Sequence, residues 1–197
     1  MKKLITTVFA SALSLMVIAG HGDHKTYTVD QKVSSIEWVG EKVTGSHMGT
    51  IMVETGKVMM EDGKIIGGNL NINMNSIVVT DIEDEGTNAK LKGHLMSDDF
   101  FGVKAHPKSM LKIVSVKQLK DKQHIITADL TIKGKTERVE IPVTVMMEDN
   151  KLVVIGETKI DRTKFDIRYG SGSFFEGLGD KMIYDEFTIK FKVGAKA

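Results

Sequence analysis

Apolar and polar residues alternate with a period of two over most of this chain. In His124–Lys133, Ile126, Ala128, Leu130 and Ile132 fall on one face, with Thr127, Asp129, Thr131 and Lys133 on the other. Glu137–Met147 places Val139, Ile141, Val143, Val145 and Met147 together, and Tyr184–Val193 does the same with Phe187, Ile189, Phe191 and Val193. Asn69, Asn71, Asn73 and Asn75 interleave with Leu70, Ile72 and Met74. Successive side chains of a strand point to opposite faces, so this pattern predicts half-buried antiparallel strands. Weaker versions predict strands at Thr26–Val29, Ser34–Val43, Gly49–Met60, Ser109–Lys120 and Leu152–Ile160.

Turn chemistry separates the runs. Asp62-Gly63, Lys133-Gly134-Lys135 and Glu148-Asp149-Asn150 read as hairpin connections, so sequence neighbours should pair antiparallel. Pro142 lies inside a strand pattern and calls for an edge, a bulge or a position without a ladder partner. Asp81–Phe101 breaks the alternation. It carries Leu91, Leu95 and Met96 at helical spacing and predicts a short helical insertion near residues 86–101, with Ser97 as a cap for a second helical turn. About eight strands with one apolar face can pack as two sheets or close into a barrel, and a barrel of that size can enclose a small ligand. Periodicity does not choose between them.

The first 19 residues follow a different rule. Lys2 and Lys3 precede an apolar stretch from Leu4 to Ala19, and Val17 and Ala19 suit the −3 and −1 positions of a cleavage site. This is the layout of a secretory signal peptide, cleaved after Ala19 to release a soluble periplasmic chain. A membrane span needs about 20 consecutive apolar residues, and Thr6, Thr7, Ser11 and Ser14 interrupt this run. Residues 20–25 are expected to be a flexible N-terminus, followed by one domain over 26–197.

Composition narrows the function classes. The 197 residues include 27 Lys+Arg and 26 Asp+Glu, a net charge of +1, with aromatics at 6%. Dispersed charge without a basic patch argues against nucleic acid. The absence of cysteine removes thiol nucleophiles, disulfides and Cys-ligated metals. No phosphate-binding loop, nucleophile elbow or H-E-x-x-H sequence is present, and no cofactor is called for. Twelve Met residues suit an adaptable apolar surface.

Several motifs in shared order carry a resemblance. They are Tyr27-Thr28-Val29-Asp30, Ser35-Ile36-Glu37-Trp38-Val39-Gly40 and Gly45-Ser46-His47-Met48-Gly49, then His94-Leu95-Met96-Ser97-Asp98-Asp99-Phe100-Phe101-Gly102-Val103 with His106-Pro107. Leu130-Thr131-Ile132-Lys133-Gly134-Lys135-Thr136, with Val139 and Pro142-Val143, and Asp161-Arg162-Thr163-Lys164-Phe165-Asp166-Ile167 complete the set. Together, from about Tyr27 to Val193, the chain resembles the YceI-like family of secreted lipid-binding proteins. It departs from that pattern at His106, where an aromatic is usual, and at Gly102, where Asp is frequent.

The resemblance implies an all-β fold, an antiparallel lipocalin-like eight-stranded barrel, holding a long-chain isoprenoid of polyprenyl or quinone type and performing no chemistry. Candidate ligand-binding residues are Trp38, His47, Ile72, Met74, Leu95, Phe100, Phe101, Arg162, Phe165 and Phe187. Phe100 and Phe101 either line the lumen or plug it. Arg162 either meets a headgroup or pairs with Asp161 or another carboxylate. The Met side chains, from Met48 to Met182, either line the lumen or fill core. The alternatives are a packed structural or stress-response barrel without cargo, and a lipid-acting hydrolase or isomerase. The latter would need His47, His94 or His106 beside a carboxylate at the cavity wall. His21-Gly22-Asp23-His24 is a weak metal-binding candidate, and Gly170–Phe175 reads as a flexible loop or a lid at the barrel mouth. A side-by-side homodimer stays open.

Overall fold

A computed structural model describes residues 23–197. The signal peptide expected at 1–19, and His21 of the N-terminal cluster, lie outside the described residues. The strands are β1 (His24–Val29), β2 (Ser35–Lys42), β3 (Gly45–Glu61), β4 (Lys64–Val79), β5 (Lys108–Gln118), β6 (Gln123–Ile132), β7 (Lys135–Glu148), β8 (Lys151–Asp161) and β9 (Ile183–Lys196), with one helix, α1 (Glu85–Met96), between β4 and β5.

All ladders between strands are antiparallel, and the order β3-β2-β9-β8-β7-β6-β5-β4 closes through a β3–β4 ladder. β1 and β2 occupy one stave. Both lie between β3 and β9, run the same way, and are separated by a 3-10 turn at Gln31–Val33. Nine strands therefore make an eight-stave barrel, as expected. β1 starts two residues earlier than expected: His24 and Lys25, placed above in a flexible N-terminus, pair with Glu61 and Met60.

Local chemistry explains the connections. Asp62 and Gly63, like Lys133 and Gly134, both take positive φ, the geometry of a two-residue turn matched to strand twist. Pro142 ends a ladder: β7–β8 pairing runs only from Val143↔Gly156 to Glu148↔Lys151. The rest of β8 stays bonded to β9 as far as Asp161↔Glu186, so β7 and β8 part company at Pro142.

The three short connections β3–β4, β5–β6 and β7–β8 gather at one end, together with Asp23 and Ala197, the ends of the described segment. There Tyr27, Met60, Leu152 and Ala195 are buried. At the other end lie α1 and the long β8–β9 connection. Asp84 caps α1, its Oδ1 accepting from Thr87 N at 2.8 Å. Asn88 Nδ2 donates to Val79 O and Ile82 O, which fastens the helix to the end of β4. Ser97 does not start a second helix. It is the C-cap of α1, with its N–H and Oγ both donating to His94 O, and residues 97–105 descend through successive turns. That descent buries Leu95, Phe100 and Val103 beneath the barrel end.

Candidate ligand-binding cavity

Alternation places one side chain in two of every strand inside the barrel, and in the middle of the barrel those side chains do not meet. They enclose a cavity of about 230 Å³. Its wall is built from Ile36 and Trp38 of β2, Ile51 of β3, Leu70, Ile72 and Met74 of β4, Leu111 and Ile113 of β5, and Phe187, Ile189 and Phe191 of β9. Leu95, Phe100 and Phe101 line the α1 end, and Ile65 and Ile126 the hairpin end. Along β9 the wall extends from Ile183 to Val193. At about 3.3 Å per residue and the usual barrel tilt this path is roughly 25 Å along the axis. The lining is elongated along the barrel axis and almost wholly apolar, which suits a flexible hydrocarbon chain.

Two glycines make the shape. A Cβ on Gly49 would lie 1.8 Å from Val78 O and 2.6 Å from Trp38 Cζ2, so only Gly lets the indole lie against β3. A Cβ on Gly156 would lie 2.5 Å from Phe191 Cζ. β4 adds a bulge, where the register with β3 jumps between Thr50 and Met52. Ser76 Oγ accepts from Met52 N inside that bulge, which turns both Met74 and Ile77 inward.

The polar groups of the wall are largely spoken for. Ser109 Oγ donates to Met74 Sδ at 3.0 Å. Arg162 is 2% exposed and donates to three carbonyls: Ile167 O at 2.8 Å, Ile183 O at 3.0 Å and Tyr184 O at 3.1 Å. Its guanidinium lies 5.7 Å from the centroid of the Phe100 ring and 3.5 Å from Asp185 Oδ1. Burial pushes the Arg162 pKa down, against the opposing pull of Asp185 and Asp161. Burial also pushes Asp185 up, but hydrogen bonds from Ser171 and Ser173 and the Arg162 charge outweigh it and leave the carboxyl below its ordinary value. Of the two carboxylates, Asp185 is the partner; Asp161 Oδ1 accepts instead from Thr163 N and Oγ1. The Trp38 indole N–H is buried without a hydrogen-bond partner.

Eight of the ten sequence-derived candidates line this cavity: Trp38, Ile72, Met74, Leu95, Phe100, Phe101, Arg162 and Phe187. His47 and Phe165 do not. Phe165, 1% exposed, belongs to the hydrophobic core, as do Val103 and Ile167. His47 sits where β3 begins, its Nδ1 2.9 Å from Asp81 Oδ2. Burial pushes Asp81 up, yet the hydrogen bonds from His47 and Met48 N prevail and its pKa is lowered. This His–carboxylate pair lies off the cavity wall. His94 instead meets the Tyr169 and Phe100 rings, and His106 packs over Gly134. Among the described residues no group of three or more His, Asp or Glu is placed to hold a metal.

Of the ten Met residues from Met48 to Met182, Met60 and Met74 are buried and Met96 packs against the core, as the core reading expects, but five are exposed and meet neither reading. Met74 alone of those residues lines the cavity, while Met48, Met52, Met59, Met110 and Met147 are exposed on the outer wall. The reason is parity: β3 faces inward at Gly49, Ile51 and Val53, shifts register between Val53 and Thr55, and then faces inward at Gly56, Val58 and Met60. The wall residues not singled out, such as Ile36, Ile189 and Phe191, share a face with Trp38 or Phe187, and that signal was present in the alternation.

A closed antiparallel barrel with an apolar tunnel and a helix over one end defines a small β-barrel binding-protein architecture. The family profile described as YceI-like domain matches residues 27–195, and the chain belongs to that family. Among solved structures, Burkholderia cenocepacia BcnA is similar, at 24% identity with a TM-score of 0.67, over 85% of this chain and 99% of that one. A polyisoprenoid binding domain from Saccharophagus degradans, implicated in plant cell wall breakdown, aligns at 15% identity with a TM-score of 0.61, over 87% and 98%. The Campylobacter jejuni YCEI protein aligns at 15% identity with a TM-score of 0.54, over 100% and 99%. These likenesses establish the fold. A search of curated proteins returns no significant match.

Proposed function

We propose that this chain binds a long-chain isoprenoid lipid, of polyprenyl or quinone type, in its lumen and carries it through the periplasm without transforming it. The observation that carries the reading is the elongated apolar cavity lined from Ile65 to Phe100. Hydrocarbon in water is unfavourable by about 25 cal/mol per Å². A wall of Ile, Leu and Phe removes that contact along the whole length of a chain, although ordering costs offset part of the gain. The polyisoprenoid binding described for the Saccharophagus domain, which shares the fold, supports the same cargo class. Binding rather than chemistry is favoured because the wall's Ser109 and Arg162 already have partners inside the protein. The signal-peptide layout of residues 1–19 supports the location.

Organic extraction of protein purified from its own cells, followed by mass spectrometry, tests the proposal. The expected result is an isoprenoid near one per chain. Protein that yields no lipid and takes up no added polyprenyl lipid would overturn it.

A further inference from the structure

Aromatic residues on this protein are sorted with unusual severity. Among the described residues, the exposed large aromatic side chains are Tyr169, Phe174, Phe175 and Tyr184, at 48%, 46%, 50% and 48% exposure. All four fall between residues 169 and 184, in the β8–β9 connection and the first turn of β9. The other aromatics among the described residues are buried or half-buried.

These rings are mounted rather than loosely displayed. Ser171, fully buried, bridges to Ile183, and its carbonyl accepts from Phe174 N at 3.2 Å and Phe175 N at 3.0 Å. Ser173 Oγ donates to Asp185 Oδ2 at 2.6 Å. The backbone is thus pinned to β9 while two phenyl rings point to solvent. The Arg168 guanidinium lies 4.6 Å from the Phe174 ring centroid, a cation held beside an apolar surface. The mount is continuous with the cavity, since Ile183 and Tyr184 belong to the cavity wall and their carbonyls hold Arg162. Phenyl and phenol rings with a neighbouring cation suit the boundary between headgroups and acyl chains. An exposed apolar cluster of this kind marks an interaction site.

We propose that this aromatic loop is a docking surface for a lipid bilayer, through which cargo passes between membrane and lumen without crossing water. The passage of cargo rests on the carrier reading above; the docking itself does not. Arg168, Lys164 and Lys181 are offset by Asp166, Glu176 and Asp180 in the same segment. The attraction is therefore apolar and depends little on anionic lipid or on salt.

Flotation with phosphatidylcholine vesicles, and with mixed phosphatidylethanolamine and phosphatidylglycerol vesicles, tests the proposal. Protein purified from its own cells should float with both. Phe174→Ser combined with Phe175→Ser should lower partitioning roughly tenfold, as the transfer of two half-exposed phenyl rings requires. Met48→Ser with Met52→Ser, on the outer wall, should leave it unchanged. A Phe175→Trp variant, which changes only a half-exposed ring, should shift its emission to the blue when vesicles are added, measured against the parent's Trp38 signal. Equal flotation of the phenylalanine double variant and the parent, or a Phe175→Trp emission that vesicles leave unmoved, would overturn the proposal. So would a phenylalanine double variant that loses a self-associated form while floating as the parent does, since the loop would then hold a second copy of this chain. Isoprenoid content is read separately from the same preparations. Vesicle binding lost in the variant from protein that never carries isoprenoid would sustain the docking surface and remove the cargo; cargo with no vesicle binding would do the reverse.

Discussion

Replacing Arg162 by Met tests what holds the α1 end of the barrel together. The guanidinium satisfies three carbonyls from two separate stretches of chain, Ile167 on one side and Ile183 and Tyr184 on the other. A hydrogen bond from a charged donor contributes about 1.5–3 kcal/mol, and losing the donor strands its acceptors in a site where Arg162 itself is 2% exposed. Met keeps much of the apolar stem and removes the cost of burying a charge, which offsets part of the loss. The three bonds are not additive, and a net loss of about 3–5 kcal/mol follows, a large share of the roughly 5–15 kcal/mol available to a domain. Arg162→Lys should recover part of that, because a single ammonium cannot reach three carbonyls placed for a planar fork. Urea unfolding gives the number through the shift in midpoint at constant slope. A loss below about 1 kcal/mol would refute the reasoning. A variant of unchanged stability with weakened isoprenoid binding would show instead that Arg162 serves a headgroup.

Gly49→Ala forces a methyl group against the backbone carbonyl of Val78 and the Trp38 ring, so it should destabilise by about 1–3 kcal/mol or more, read as a lower thermal midpoint. Asp185 has a folded pKa below its ordinary value of 3.8, so its stabilisation is complete above that value and is lost as pH falls through the folded pKa. The stability gap between the parent and Asp185→Asn should therefore shrink below about pH 4 in urea midpoints taken at successive pH values. Leu70→Phe with Leu111→Phe fills the lumen from two paired strands; it should reduce extracted isoprenoid severalfold while leaving the far-ultraviolet circular dichroism spectrum unchanged.

Much of the barrel was legible because its strands bury one face. Phe187, Ile189, Phe191 and Val193 could sit nowhere but inside once their neighbours were Thr188, Lys190 and Lys192. The turns at Asp62-Gly63 and Lys133-Gly134 announced themselves through residues that tolerate positive φ. What stayed hidden depended on contacts between distant residues. The register shift in β3 reverses its inward face after Val53, so a methionine's side of the wall could not be counted from the start of the strand. Arg162 looked equally suited to a headgroup or a carboxylate, and the carbonyls that engage it come from a segment 21 and 22 residues further on as well as from Ile167. Trp38 was visible as an aromatic on a strand, but its placement needs the missing Cβ of Gly49 on the adjoining strand. His47 drew notice as a ligand-binding candidate, and its partner Asp81 lies beyond β4, at the start of the stretch that breaks the strand alternation.

Trp38 is the sole tryptophan of the chain and stands in the cavity wall, so its fluorescence reports on the lumen directly. Titration with an isoprenoid quinone, after delipidation, should quench that emission saturably near one molecule per chain, and the Leu70→Phe, Leu111→Phe variant should abolish the saturable part. Emission that stays constant, or falls linearly without saturation in both proteins alike, would contradict a lumen that accepts an isoprenoid chain.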